Sequence, residues 1–244
     1  MGPRNQGSRG VRAHRSGQGD SITYGAGPVT DATIAARAGA IPICLMDAKQ
    51  VPAGWRVMNA GTAGDTIQSL VTQAQDVTNW SNIYTSTNIS GRRVVSLQIG
   101  RNNLGEIGTG TDVSRLPTVQ ARYIDLLSNA TYGYLVKGWD VIIAGNVGGA
   151  PQMIALRNWL ASSAFLDAIN AKTGQTYAGK VQYRDVPNAT LADGYKPISV
   201  TSDVASAAGY TGYWTDGTHP SSTCTILFAT RGTTPSTGLI YDMV

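Results

Sequence analysis

The sequence predicts an α/β fold built on a mostly parallel β-sheet covered on both faces. Two observations carry this. Short, continuous apolar runs rich in β-branched residues recur along the chain, and longer stretches with helical apolar spacing separate them. A third observation, the charge usage, bears on the connections. Only 14% of residues are charged and Asp outnumbers Glu 14 to 1, and Asp suits turns and caps better than helix interiors, so the loops are prominent.

The elements follow in order. Trp55 to Ala60 reads as a short strand leading into a Gly/Asp/Thr turn, and Thr66 to Asn79 as the helix after it. Val94 to Ile99 (VVSLQI) is the most strand-like run and stops at Gly100. Leu116 to Ser128 is a second helix. Val141 to Ala144 is a compact strand flanked by Asp140 and Gly145. Met153 to Lys172 is the best helix, with Ile154, Leu156, Leu160, Phe165, Leu166 and Ile169 forming a broad apolar stripe and Gly174 placed to end it. Val181 to Val186 is a weaker, alternating strand. No internal repeat and no domain boundary is visible after residue 19, so residues 19–244 read as one domain.

Composition excludes several classes. Of the 244 residues, 42% are hydrophobic, enough for a sizeable core and too many for a wholly disordered chain. No apolar run approaches about 18 residues, so no membrane-spanning helix is expected. The net charge of +4 comes from one place: residues 1–18 hold Arg4, Arg9, Arg12 and Arg15 and no acid, and the remainder balances at 15 basic and 15 acidic side chains. The basic balance therefore gives no sign of a nucleic-acid-binding face. No apolar stretch follows those arginines, as a secretory signal would require. Residues 1–18 read either as a basic flexible leader or as a degenerate first strand. Cys44 and Cys224 have no metal-like spacing and fit two buried thiols or one disulfide, so no metal site and no cofactor is expected. Low charge with abundant Gly, Thr, Ser and Asn suits an extracellular or virion-associated setting. Oligomeric state is not legible.

Chemistry-bearing residues are few. There are two histidines; His14 lies in the leader, and His219 lies in Trp214-Thr215-Asp216-Gly217-Thr218-His219-Pro220. Asp216, three residues before His219, is spaced to hold the imidazole in one tautomer and to stabilise its protonated form. Gly19-Asp20-Ser21 offers Ser21 as a nucleophile, although taken alone the segment reads first as a helix cap. Gly61-Thr62-Ala63-Gly64-Asp65-Thr66 is a tight strand-to-helix turn in which Asp65 or Thr66 caps the helix, and Gly100-Arg101-Asn102-Asn103 is a polar turn after the strongest strand.

Together the four segments resemble the SGNH hydrolases, or GDSL-type esterases and lipases. Gly19-Asp20-Ser21 matches the first block, Asn59 to Thr66 the second, Gly100 to Asn103 the third and Asp216 to Pro220 the last. The resemblance implies a three-layer α/β/α sandwich of flavodoxin-like topology and metal-independent ester hydrolysis. It implies Ser21, Asp216 and His219 as the triad, with Ser21, Gly64 and Asn102 as oxyanion-hole donors. Two departures stand out. Asn103 replaces the Asp usual in the third block, and the stretch before Gly19, Val11 to Gln18, is not the apolar first strand of the family. Tyr24, Arg101, Val147 and Trp214 adjoin the blocks as substrate-binding candidates. The small residues of Val147-Gly148-Gly149-Ala150-Pro151 favour short acyl or acetyl esters, on small molecules or carbohydrate. The alternatives are an acyltransferase or thioesterase of the same fold, or a carbohydrate-binding module that has lost catalysis. A phosphate-binding domain lacks its glycine signatures.

Overall fold

The computed structural model describes residues 13–19, 55–76, 91–145 and 149–184. These contain five strands, β1 (Ala13–Gly19), β2 (Trp55–Gly61), β3 (Arg92–Gln98), β4 (Asp140–Ala144) and β5 (Val181–Arg184). They also contain five helices, α1 (Ile67–Gln75), α2 (Leu104–Ile107), α3 (Leu116–Ser128), α4 (Pro151–Leu160) and α5 (Ser163–Thr173). All strand pairs are parallel, in the order β2-β1-β3-β4-β5. That is the flavodoxin-like order, and its topological switch point lies between β1 and β3.

Of the two readings of the basic leader, residues 13–19 take the strand form. β1 is the strand between β2 and β3, with Gly19 in register with Gly61 on one side and Gln98 on the other. Ladder pairing is a backbone property, so a strand without an apolar run can still hold a central place when both neighbours supply partners. Residues 1–12 lie outside the described residues.

Side chains of β3 and β4 alternate between the faces, as the period of two requires. Val95, Leu97, Val141 and Ile143, with Ile99 just beyond β3, join a core built with Ile67, Leu70 and Val71 of α1 and Val119, Tyr123, Leu126 and Leu127 of α3. Met153, Leu156 and Leu160 of α4 and Phe165 and Ile169 of α5 belong to the same core. The alternate positions Val94, Ser96, Gln98, Ile142 and Ala144 are buried as well, so β3 and β4 are shielded on both faces.

The expected helix over 153–172 is two helices. Leu156 and Leu160 are four apart and Phe165 and Ile169 are four apart, but Leu160 and Phe165 are five apart, which would rotate the second pair off the core in a continuous helix. Ser162 is extended at φ −88° and ψ 158°, its hydroxyl donates to the Trp159 carbonyl at 2.7 Å, and the break lets both pairs face inward. Phe165 then packs edge-on against Trp159 with ring centroids 4.8 Å apart. α5 ends at Gly174, left-handed at φ 66°, as the sequence suggested. α1 ends at Gln75, four residues short of Asn79.

Candidate active site

The ends of β1, β2 and β3 lie side by side, and the described part of the site is built from the loops that leave β2 and β3. After β2 the chain turns at Thr62-Ala63-Gly64-Asp65, closed by Asp65 N–H donating to the Thr62 carbonyl at 3.2 Å. Gly64, third in the turn, has φ 85°, a conformation strained for any residue with a Cβ. Gly64 is exposed, and among the described residues its N–H donates to no acceptor.

Thr66 caps α1. Its hydroxyl accepts from Ser69 N–H and the Ser69 hydroxyl accepts from Thr66 N–H, both at 3.2 Å, a reciprocal capping box. This decides between the two cap candidates and leaves the Asp65 carboxyl for another task. It accepts from Gln73 Nε2 at 3.0 Å. Burial pushes the Asp65 carboxyl above the usual carboxylate range, and hydrogen bonds from Gln73, Ser69 and Thr62 oppose that only in part.

After β3, Gly100 is left-handed at φ 118° and swings the chain into a 3-10 turn, Arg101–Asn103, that runs into α2. Tyr123 of α3 anchors the exit by donating its hydroxyl to the Ile99 carbonyl. The two loops are stitched together by consecutive side chains. Asn102 Nδ2 donates to the Asp65 carbonyl at 2.9 Å, and Asn103 Oδ1 accepts from Ile67 N–H at 3.0 Å. The Asn102 side chain is exposed and carries two N–H groups, so one remains for a ligand. Arg101 is half-buried on the same turn.

Of the residues singled out in the sequence, Gly64, Asn102 and Arg101 are thus brought to one end of the sheet. Ser21, Tyr24, Val147, Trp214, Asp216 and His219 lie outside the described residues, as do Cys44 and Cys224. Among the described residues no group of three or more His, Cys, Asp or Glu side chains gathers as a metal site would need. No helix among them is long and apolar enough to cross a membrane. Sequence reasoning did not assign roles to Gln73 and Glu106, whose partners at 65 and 103 are set by the course of the loops. The T-x-x-S spacing of Thr66 and Ser69 was the available signal for the cap.

Parallel strands in this order, with glycine-bearing turns at their carboxyl ends, define a class of α/β proteins whose ligands bind at the strand ends. Comparison with known proteins narrows the class. The family described as GDSL-like lipase/acylhydrolase matches residues 19–231, and the chain belongs to that family. A G-D-S-L family protein from Desulfitobacterium hafniense has a similar fold, with a TM-score of 0.53, 16% identity and coverage of 88% of this chain and 94% of that one. So does a catalytic mutant of an acetylxylan esterase from Geobacillus stearothermophilus, with a TM-score of 0.50, 17% identity and coverage of 89% and 91%. Among curated proteins, none matches the sequence significantly. The expected α/β sandwich is the fold of these neighbours.

Proposed function

We propose that this acylhydrolase-family chain is a serine esterase that hydrolyses carboxylic esters with short acyl groups, acetyl esters of carbohydrate included. The observation that carries the reading is the Asn102–Asp65 hydrogen bond, which joins the Gly64 turn to the Asn102 turn beside the end of β1. Ser21 follows that end by two residues in sequence. An exposed turn amide and an exposed carboxamide that share one loop junction supply the paired donors that a developing oxyanion needs.

In this mechanism His219 takes the Ser21 hydroxyl proton as the oxygen attacks the ester carbonyl. Asp216 orients His219 and stabilises the imidazolium. The Ser21 and Gly64 amides and Asn102 Nδ2 receive the negative charge on the carbonyl oxygen. His219 then protonates the departing alcohol. Water attacks the acyl-enzyme with His219 as base, and the acid product leaves. Tyr24, Arg101, Val147 and Trp214 line the acyl and alcohol sites. The small residues around Val147 favour a short acyl chain.

Hydrolysis of nitrophenyl esters from acetate to octanoate tests this in wild type, Ser21→Ala and Asn102→Ala. Activity is expected to vanish in Ser21→Ala and to decline with chain length in the wild type. Asn102→Ala should lower kcat roughly 10²–10³-fold with a smaller change in KM. Wild-type rates in Ser21→Ala would overturn the proposal.

A further inference from the structure

Asn103, the residue after the oxyanion donor, is fully buried, and its side chain makes two hydrogen bonds of opposite sense. Oδ1 accepts from Ile67 N–H at 3.0 Å, while Nδ2 donates to Glu106 Oε2 at 2.7 Å. The first bond fixes the orientation of the amide. A backbone N–H can only donate, so the carbonyl oxygen must face Ile67 and the NH2 must face Glu106. Glu106 is also ion-paired with Arg122 of α3, which ties its other oxygen to the helix behind the loop. A carboxylate at position 103 would still accept from Ile67 N–H. It would, however, turn an oxygen toward an oxygen of Glu106, and two carboxylates at that distance repel unless they share a proton.

We propose that Asn103 is a positioning residue for the oxyanion hole, and that Glu106 sets the requirement for an amide at this position. The Ile67–Asn103–Glu106–Arg122 chain of contacts holds the Asn102 turn against the segment that carries Gly64. Asn102 grips the carbonyl of residue 65 while Asn103 grips the amide of residue 67, so the two donors keep their spacing only if both grips hold. This deepens the esterase reading and rests on it.

The test compares kcat and KM for nitrophenyl acetate in wild type, Asn103→Asp and Asn103→Asp/Glu106→Gln, from about pH 5.5 to about pH 9, on both sides of the histidine range. Each rate is divided by the wild-type rate at the same pH, which removes the titration of His219. For Asn103→Asp the ratio should fall as pH rises, to a loss of about tenfold in kcat with KM little changed, because a small misplacement of donors acts on the transition state. Toward acid the two carboxyls share a proton and the ratio recovers. The double variant restores a donor–acceptor pair with reversed polarity, so its ratio should be flat with pH and within about threefold of wild type, as coupled sites behave. A pH-independent ratio for Asn103→Asp, or a double variant as slow as the single one, overturns the proposal. Should Asn103→Asp not fold, the double variant decides alone: folded and active supports the pairing, unfolded or slow refutes it. A wild type without hydrolysis sinks the esterase reading and the positioning role together, whereas an active wild type with a pH-flat Asn103→Asp sinks the positioning role only.

Discussion

Asp65 shows how much one residue carries in this site. Its carbonyl receives Asn102 and its carboxyl receives Gln73, while its neighbours are the left-handed Gly64 and the capping Thr66. Burial raises its pKa above the ordinary value of 3.8. A carboxyl whose folded pKa is raised binds its proton more tightly in the folded state. Its stabilising contribution is therefore complete below the unfolded value and is lost as pH rises through the folded one. Near neutrality the ionised group is a liability. Asp65→Asn keeps an acceptor for Gln73 and removes the buried charge, so its Tm should exceed that of wild type at about pH 7, by a few degrees at most, and the gap should close below about pH 4. Calorimetry across that range checks it; a gap independent of pH would show that the carboxyl's titration is not the cause. The tight turn that holds Gly64 and the polar turn that holds Asn102 were legible in the sequence, whereas roles for those two residues come only from the family resemblance. The Gln73 partnership was not, since it depends on which of two adjacent residues caps α1.

Elements were legible where apolar spacing and end signals agree. α3 has the predicted bounds, and β4 extends its predicted run by one residue. The sequence reads α4 and α5 as one helix because Ala161-Ser162-Ser163 contains no Gly or Pro, and only the five-residue step from Leu160 to Phe165 betrays the break. β1 was ambiguous for the opposite reason: its residues do not advertise a buried strand, and its place is set by two neighbours far along the chain. α1 is the element on which the site leans most. It is nine residues long, and its first turn meets Asn103 while its cap adjoins the Gly64 turn. Isolated helices of that length are marginal, so the cap matters. Thr66→Ala removes the acceptor of Ser69 N–H, leaving only the backbone N–H of residue 66 on the Ser69 hydroxyl, and should lower the unfolding free energy by about 1 kcal/mol. Urea denaturation should show an earlier midpoint with an unchanged slope. An unchanged midpoint would mean that Asn103 and the core hold the first turn without the cap.

At the scale of the whole molecule the sheet separates stability from chemistry by its length. β3 runs for seven residues, roughly 20 Å, from Arg92 to the loop that carries Asn102. At its amino-terminal end Asp140 of β4 accepts from Arg92 Nε and from Lys180 Nζ, each at 2.8 Å, which binds β3, β4 and the approach to β5 together. Asp140 is nearly buried, whereas Arg92 and Lys180 are well exposed, so solvent screens both pairs and each is worth less than a fully buried one. Asp140→Asn keeps the shape and removes the charge that both cations share. The expected cost is about 1–2 kcal/mol in unfolding free energy, shrinking at high salt. The kcat for short esters should stay within about twofold of wild type, because no group at that end reaches the strand ends where the proposed oxyanion forms. The measurement is paired: urea unfolding at low and high salt, and ester hydrolysis below the unfolding range. Lost stability with kept kcat places the ion cluster purely in the scaffold. A fall in kcat with the folded fraction unchanged would instead mean that the strands transmit strain from one end of the sheet to the other. The spacing of the Gly64 and Asn102 loops would then depend on contacts at the far end of β3.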